Sequence, residues 1–407
     1  GGALVAHAAA LGERQSLISE PRQAVLVNVR QGGAEHSLQL RRLGGRGLEE
    51  PAHAKGGGEA DGARHPLAIP RVSLTIDLLR LLGWLPDDAY VDSPRASPAQ
   101  LARFHDPDYI AAVQQAEAAG RASEAVRVRY NIGRAGNPIY GEMFRRPATA
   151  CGASILAASL LQDGGIVHSL AGGTHHALRD SASGFCFFND PVLALLALLD
   201  GGLERVAYVD IDAHHGDGVE IAFRGDPRLL YLSVHERDRW PFTGTEPRSP
   251  CGMIRNYAVP AGMNDSEMRF LFDMAIQPLL EDFAPQAIVL QCGADALADD
   301  PLSKQMLSNN AHWDAVRRLR PLAPRFLVLG GGGYNPWSVA RCWAGVWAAL
   351  NDLPVPARLP AAAEALLRGV TWRRSQGRNP PAHWFETLRD PAREGEIRED
   401  VRRLAAT

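Results

Sequence analysis

The chain has 407 residues, 46% hydrophobic and 22% charged, with a formal net charge of −3; this is the balance of a globular protein and excludes a nucleic-acid binder driven by bulk electrostatics. No apolar run approaches the ~20 residues of a membrane-spanning helix. The apolar start from Gly1 to Gly12 lacks the basic flank of a signal peptide, so a cytoplasmic protein with no membrane or direct nucleic-acid contact is expected.

Residues 1–64 are rich in Gly, Ala and Arg. They hold one strand-like run, Ala24–Val29, and a connector, Gly56-Gly57-Gly58, and are set apart as a poorly defined N-terminal extension. Apolar residues at helical spacing predict helices over Ser73–Trp84, Pro98–Arg103 and Asp108–Glu117. Short, nearly all-apolar runs predict strands at Gly165–Leu170, Arg205–Val209, Leu229–Val234, Ala287–Gln291 and Phe326–Leu329. Between the first two, Asn189, Asp190 and Pro191 signal the start of a helix running to Leu199. Such strands, separated by helices, indicate a parallel sheet covered on both faces. Residues 65–375 are expected to form one domain, with 376–407 a helical tail packed on it or trailing it. Five scattered cysteines (Cys151, Cys186, Cys251, Cys292 and Cys342), never spaced CxxC, fit a reducing compartment and offer no cysteine-type zinc site.

Polar residues follow these strands, where open parallel sheets place their ligand crevice. His175 and His176 follow the first, Asp210, Asp212 and His214 the second; Ser233 and His235 close the third. Asp295 follows the fourth and Tyr334 the fifth. In Asp210-Ile211-Asp212-Ala213-His214, extended spacing puts Asp210, Asp212 and His214 on one side of the chain. With Asp295 as a third ligand, Asp212 and His214 describe a catalytic zinc site with an open position. The same run also suits Mg²⁺ or a helix cap. Asp210 and Asp217 then remain to orient His175 and His176, as in a catalytic triad with a metal-activated water in place of serine. After Gly330-Gly331-Gly332-Gly333, the Tyr334 phenol is placed to meet a developing oxyanion. No phosphate-binding glycine motif fits here. One ring from Gly184-Phe185-Cys186-Phe187-Phe188 and one from Trp240-Pro241-Phe242 are candidates for the walls of an apolar channel.

From His65-Pro66 to Trp343, these blocks resemble the histone deacetylase family in the broad sense that includes bacterial acetoin-utilisation proteins and acetylpolyamine amidohydrolases. The ordered set is Pro70-Arg71, Phe104-His105, Asn137-Pro138, GGTHHA, GFCFFND, DIDAHHGDG, GADALADDPL, GGGGYN and Arg341-Cys342-Trp343. The texture around Asn137–Gly152 and Ser308–Asn310 looks most like the bacterial acetoin-utilisation branch. The resemblance implies the three-layer arginase/deacetylase α/β fold. It implies one catalytic Zn²⁺ on Asp212, His214 and Asp295, a histidine pair His175 and His176 with partners Asp210 and Asp217, and Tyr334 polarising the substrate carbonyl. Gly184, Phe185, Phe242 and Leu302 are expected along the channel, and Arg71 at its foot, for product release. A structural K⁺ is expected on Asp210, Asp212, His214, Ser233 and Val234, largely through backbone oxygens. The implied substrate is an acetylated protein lysine or a small acetylated amine. Gly136 stands where peptide-binding members carry an acid, which counts against a long peptide. Leu302 stands where a polyamine-selective relative carries one. The rival readings are a two-manganese ureohydrolase of the same fold, which needs a second acidic cluster where Asp295 is followed by Ala296 and Leu297, and an inactive metal-stabilised binding protein.

Overall fold

Eight strands form one sheet in the order β2-β1-β3-β8-β7-β4-β5-β6, every neighbouring pair parallel. They are β1 (Val25–Asn28), β2 (Tyr90–Asp92), β3 (Gly165–Ser169), β4 (Val206–Asp210), β5 (Leu229–Glu236), β6 (Ile254–Val259), β7 (Ala287–Gln291) and β8 (Arg325–Leu329). The structure is a computed structural model that describes residues 24–28, 69–134, 136–248 and 253–406. The Gly56–Gly58 connector, the His65-Pro66 block and Cys251 lie outside these residues.

Both faces of the sheet are apolar because alternate residues of each strand feed different cores. Along β4, Ala207 and Val209 join one cluster while Val206 and Tyr208 join the other; along β8, Phe326 and Val328 oppose Leu327 and Leu329. Each fully buried Val, Leu, Ile or Phe contributes roughly 1.5–3 kcal/mol of transfer free energy. Helices α1 (Arg71–Leu81), α5 (Asn309–Leu319) and α6 (Pro336–Leu350) cover the first face. Helices α2 (Arg145–Leu160), α3 (Asp190–Asp200) and α4 (Asp217–Phe223) cover the second. Every residue of α6 is buried. Its start is fixed by Asn335, whose side chain accepts from the Trp337 and Ser338 amides, with Pro336 in the first turn. The one charge on α6, Arg341, meets Asp390 at 2.6 Å. No helix among the described residues is long and apolar enough to cross a membrane.

The five strands expected from apolar runs all form, within a residue or two of the expected ends. β2 and β6 were not legible: β2 has three residues, and β6 interrupts its apolar residues with Arg255 and Asn256 at the sheet edge. β1 falls within the segment set apart as an extension, yet it pairs with both β2 and β3 inside the sheet. At the other end, Arg398 clamps Glu267 with Nε–Oε1 at 2.6 Å and Nη2–Oε2 at 2.7 Å, and Val401 is buried, so the last residues pack on the domain.

Candidate metal centre and active site

β4, β7 and β8 are adjacent, and their carboxyl ends deliver the polar residues to one point. Asp212 and His214 follow β4, and Asp295 follows β7. All three are buried and offer ligand atoms within 4.8 Å of one another. His214 Nδ1 lies 2.9 Å from Asp295 Oδ2 and 3.3 Å from Asp212 Oδ1. Backbone amides aim the carboxylates: Ala213 N–H donates to Asp295 Oδ1 (2.9 Å), and Gly332 N–H to Asp212 Oδ2 (2.8 Å). Two glycines leave room for them. A Cβ on Gly293 would sit 2.0 Å from Asp212 Oδ2, and one on Gly332 the same distance from Asp295 Oδ2.

Burial and the charge of Asp212 push Asp295 up to about 6. Burial works against charge on His214 too, but its hydrogen bonds to Asp212 and Asp295 outweigh it and raise the imidazole to about 10. Two buried carboxylates and one imidazole nitrogen with so strong a demand for positive charge are a fitting donor set for a divalent cation.

Beside this cluster, His175 Nδ1 lies 2.8 Å from Asp210 Oδ2, and His176 Nδ1 lies 2.8 Å from Asp217 Oδ1. The two Nε2 atoms face each other at 2.9 Å. The pair is strongly split. Burial alone would lower His175, but Asp210 and Asp212 raise it to about 9. Burial and the charge of His175 together lower His176 to about 3. Asp210 is itself braced by the Tyr208 hydroxyl (2.9 Å) and the Asp212 amide (3.0 Å). With its oxygens so used, the expected K⁺ set would rest on backbone oxygens. Asp210 and Ser233 are register partners across β4 and β5, while the Ser233 hydroxyl is turned to His235 Nδ1 (2.9 Å).

The Histone deacetylase domain family matches residues 65–350. The chain belongs to the histone deacetylase family. Histone deacetylase 6 of Arabidopsis thaliana is 42% identical over 258 residues, covering 61% of this chain and 54% of that protein. Histone deacetylase 9 of the same plant is 36% identical over 308 residues, covering 74% and 72%. Histone deacetylase 1 of Homo sapiens is 33% identical over 308 residues, covering 74% and 63%. The chain thus spans between about half and three quarters of the length of these relatives. Among solved structures, an HDAC homolog from Aquifex aeolicus superposes with a TM-score of 0.82 at 31% identity, over 95% of this chain and 99% of that one. An HDAC homolog complexed with SAHA superposes with the same score at 30% identity. The fold is therefore the α/β fold of that family, as the sequence resemblance implies.

On this deacetylase scaffold, Phe185 packs edge-to-face on Tyr334 at 5.9 Å, and its amide donates to Asn137 Oδ1 (3.1 Å). Gly136, at the expected rim, lies against the Phe185 ring. Arg71 Nη1 donates to Gly331 O (2.6 Å), and the guanidinium stacks on Trp343, beneath the glycine run. Phe242, expected along the channel, is 69% exposed, while the Trp240 ring lies 4.6 Å from His176 and 6.3 Å from His214. The reason is local: Phe242 has φ +63° and its amide closes a turn onto Arg239 O, so the chain reverses after Trp240 and carries Phe242 outward. Thr243 and Gly244 then tie the loop to His215 and His235. Trp240 packs directly on Gly184, where a Cβ would come 2.2 Å from the indole.

Two buried carboxylates escaped the sequence reading. Asp190, read as a helix-start residue, accepts from the Gly173 and Thr174 amides and the Ser154 hydroxyl and so fixes the loop before His175. Asp300 accepts from the Tyr334 and Leu302 amides.

Proposed function

We propose that this protein is a zinc-dependent deacetylase, hydrolysing an N-acetyl or related acyl amide of a lysine side chain or a small amine. The observation that carries this reading is the pairing of the Asp212–His214–Asp295 donor set with two histidines beside it, each backed by its own carboxylate at 2.8 Å. A zinc ion held by the donor set would supply Lewis-acid polarisation of the acyl carbonyl and acidify a water beside it to a pKa of about 7.

The chain's own residues do the rest. The Nδ1–H of His176 donates to Asp217, which leaves Nε2 as the basic nitrogen. That nitrogen takes the proton of the attacking water and returns it to the leaving amine. His175, hydrogen-bonded to Asp210 at 2.8 Å, is the second imidazole at the site and gives electrostatic support beside the reacting carbonyl. Burial pushes the Tyr334 phenol well above its ordinary value, so it stays protonated and donates to the same oxygen. Phe185, against Tyr334, and Trp240, against His176, would line the approach, and Arg71, held on Gly331 O, would meet a carboxylate product at its foot. Among the described residues a single group of metal-ligating side chains of this kind occurs, which favours one catalytic ion over a two-manganese centre. A K⁺ on the backbone around Asp210 and Ser233 belongs to the same proposal. The described cysteines are free and buried, in keeping with a reducing, cytoplasmic setting.

The test is Tyr334→Phe, assayed with zinc supplied on an acetyl-lysine reporter and on acetylated small amines. We expect kcat to fall by on the order of 10²–10³ with little change in KM. Unchanged turnover would sink the mechanism.

A further inference from the structure

We infer that Asp300 is a positioning residue for Tyr334, a buried carboxylate that ties the backbone beneath the phenol to the channel residue Leu302. The inference rests on the deacetylase reading of Tyr334. Tyr334 is the first residue with a side chain after four glycines, of which Gly331 and Gly333 have φ of +118° and +135°. A run so free of side-chain constraint does not by itself fix where the phenol points. The constraint comes from another loop. Asp300 is 6% exposed, and both of its oxygens are engaged: Oδ2 by the Tyr334 amide at 2.6 Å, Oδ1 by the Leu302 amide at 2.9 Å.

The same loop grips the next residue as well. The Asn335 side-chain amide donates to Asp299 O (3.2 Å), while its oxygen caps α6. On the other side, the Ser303 hydroxyl donates to the backbone oxygen of Asp295, a residue of the metal donor set. Residues 299–303 thus bracket the site, holding Tyr334, Leu302 and Asp295 in one register. Two backbone amides donating to one buried carboxyl group fix the chain at Tyr334 relative to the 299–303 loop, and a phenol displaced by ~1 Å loses its aim at the oxyanion.

The experiment is a kinetic cycle on the zinc-loaded full chain with an acetyl-lysine reporter, comparing wild type, Asp300→Ala, Tyr334→Phe and the double variant. Asp300→Ala is expected to lower kcat by roughly 10- to 100-fold, with KM within about threefold of wild type and zinc content unchanged. In the Tyr334→Phe background the same change is expected to cost less than about twofold, because the group it positions has gone. Asp300→Asn keeps the volume and one acceptor oxygen, so it should recover part of the loss, and it replaces alanine in the cycle if the alanine variant does not fold. Losses that multiply in the double variant, or a loss carried by KM or by zinc content, overturn the inference while leaving the deacetylase reading intact. A wild-type protein inert on every acyl amide removes that reading, and this inference with it.

Discussion

Gly332→Ala tests the metal centre without touching a ligand. Gly332 is absent from the positive-φ positions that flank it, Gly331 and Gly333, so alanine brings no backbone strain there. What it brings is one carbon, 2.0 Å from Asp295 Oδ2 and 2.8 Å from Asp212 Oδ2. Real contacts of this kind essentially never fall below 3.0 Å, so the Asp295 carboxylate must retreat by 3.0 − 2.0 = 1.0 Å or more. Protein–metal distances tolerate only about 0.2 Å. A ligand displaced that far is lost or badly strained, and zinc affinity should fall at least ~100-fold, about 2.7 kcal/mol. The assay is zinc competition against a chelator of known affinity, with thermal unfolding of the metal-free protein to register any general damage. Gly141→Ala is the control, since a Cβ there meets nothing within 4 Å. Should Gly332→Ala bind zinc as tightly as wild type, the three residues do not hold the metal and the reasoning fails.

Trp240→Ala should raise KM for an acetyl substrate by about tenfold, the equivalent of roughly 1.4 kcal/mol of lost aromatic contact, and should admit bulkier acyl groups. Phe242→Ala should do little, and the reverse ranking in a substrate panel would restore Phe242 as the wall. Glu267→Gln should destabilise the chain by about 1–3 kcal/mol at neutral pH by weakening the bidentate Arg398 clamp. Burial opposes the Glu267 charge, but Arg398 and the Asn264 amide hold its pKa below the ordinary 4.5. The clamp's contribution is therefore complete above that value and is lost as pH falls through the lowered one. In melts of chelator-treated protein, the gap between wild type and Glu267→Gln should hold at neutral pH and close as pH falls below the ordinary glutamate range. A gap that is constant with pH would mean that the pair does not carry the effect.

How much of this was legible depended on whether the physics was local. Runs such as AIVLQ at β7 are buried at every position, so a continuous apolar string flanked by helices announces a central parallel strand. The edge strand IRNYAV needs no such string, and three residues at β2 carry no pattern at all. The donor set was readable because Asp-x-His after a strand is itself a local arrangement, and the leftover acids then had obvious histidines to serve. Asp190 and Asp300 were not, because the contacts that tie them to the site, to the Gly173, Thr174 and Tyr334 amides, are made to the backbone of other loops and leave no trace in residue identity. That Trp240 lies beside His176 while Phe242 is exposed depends on how the loop turns, with Phe242 at φ +63°. No composition argument reaches that.

The four glycines before Tyr334 show most clearly what sequence reasoning conflates. In the sequence they are four equal permissions to turn. In the structure, only Gly331 and Gly333 use the freedom of positive φ, while Gly330 and Gly332 are there for space alone: a Cβ would meet Leu170 O at 2.2 Å at the former and the Asp295 carboxylate at 2.0 Å at the latter. The steric demand thus holds at all four positions, since a Cβ would also come 2.7 Å from Gln291 Nε2 at Gly331 and 2.6 Å from Val339 Cγ2 at Gly333, and the conformational demand is added at these two. The backbone between β8 and α6 must both bend and lie flat against the donor set, and no residue but glycine does either here. The cost is that the run cannot hold Tyr334 in place, which is why the constraint on the phenol has to come from outside it, through Asp300 and Asn335.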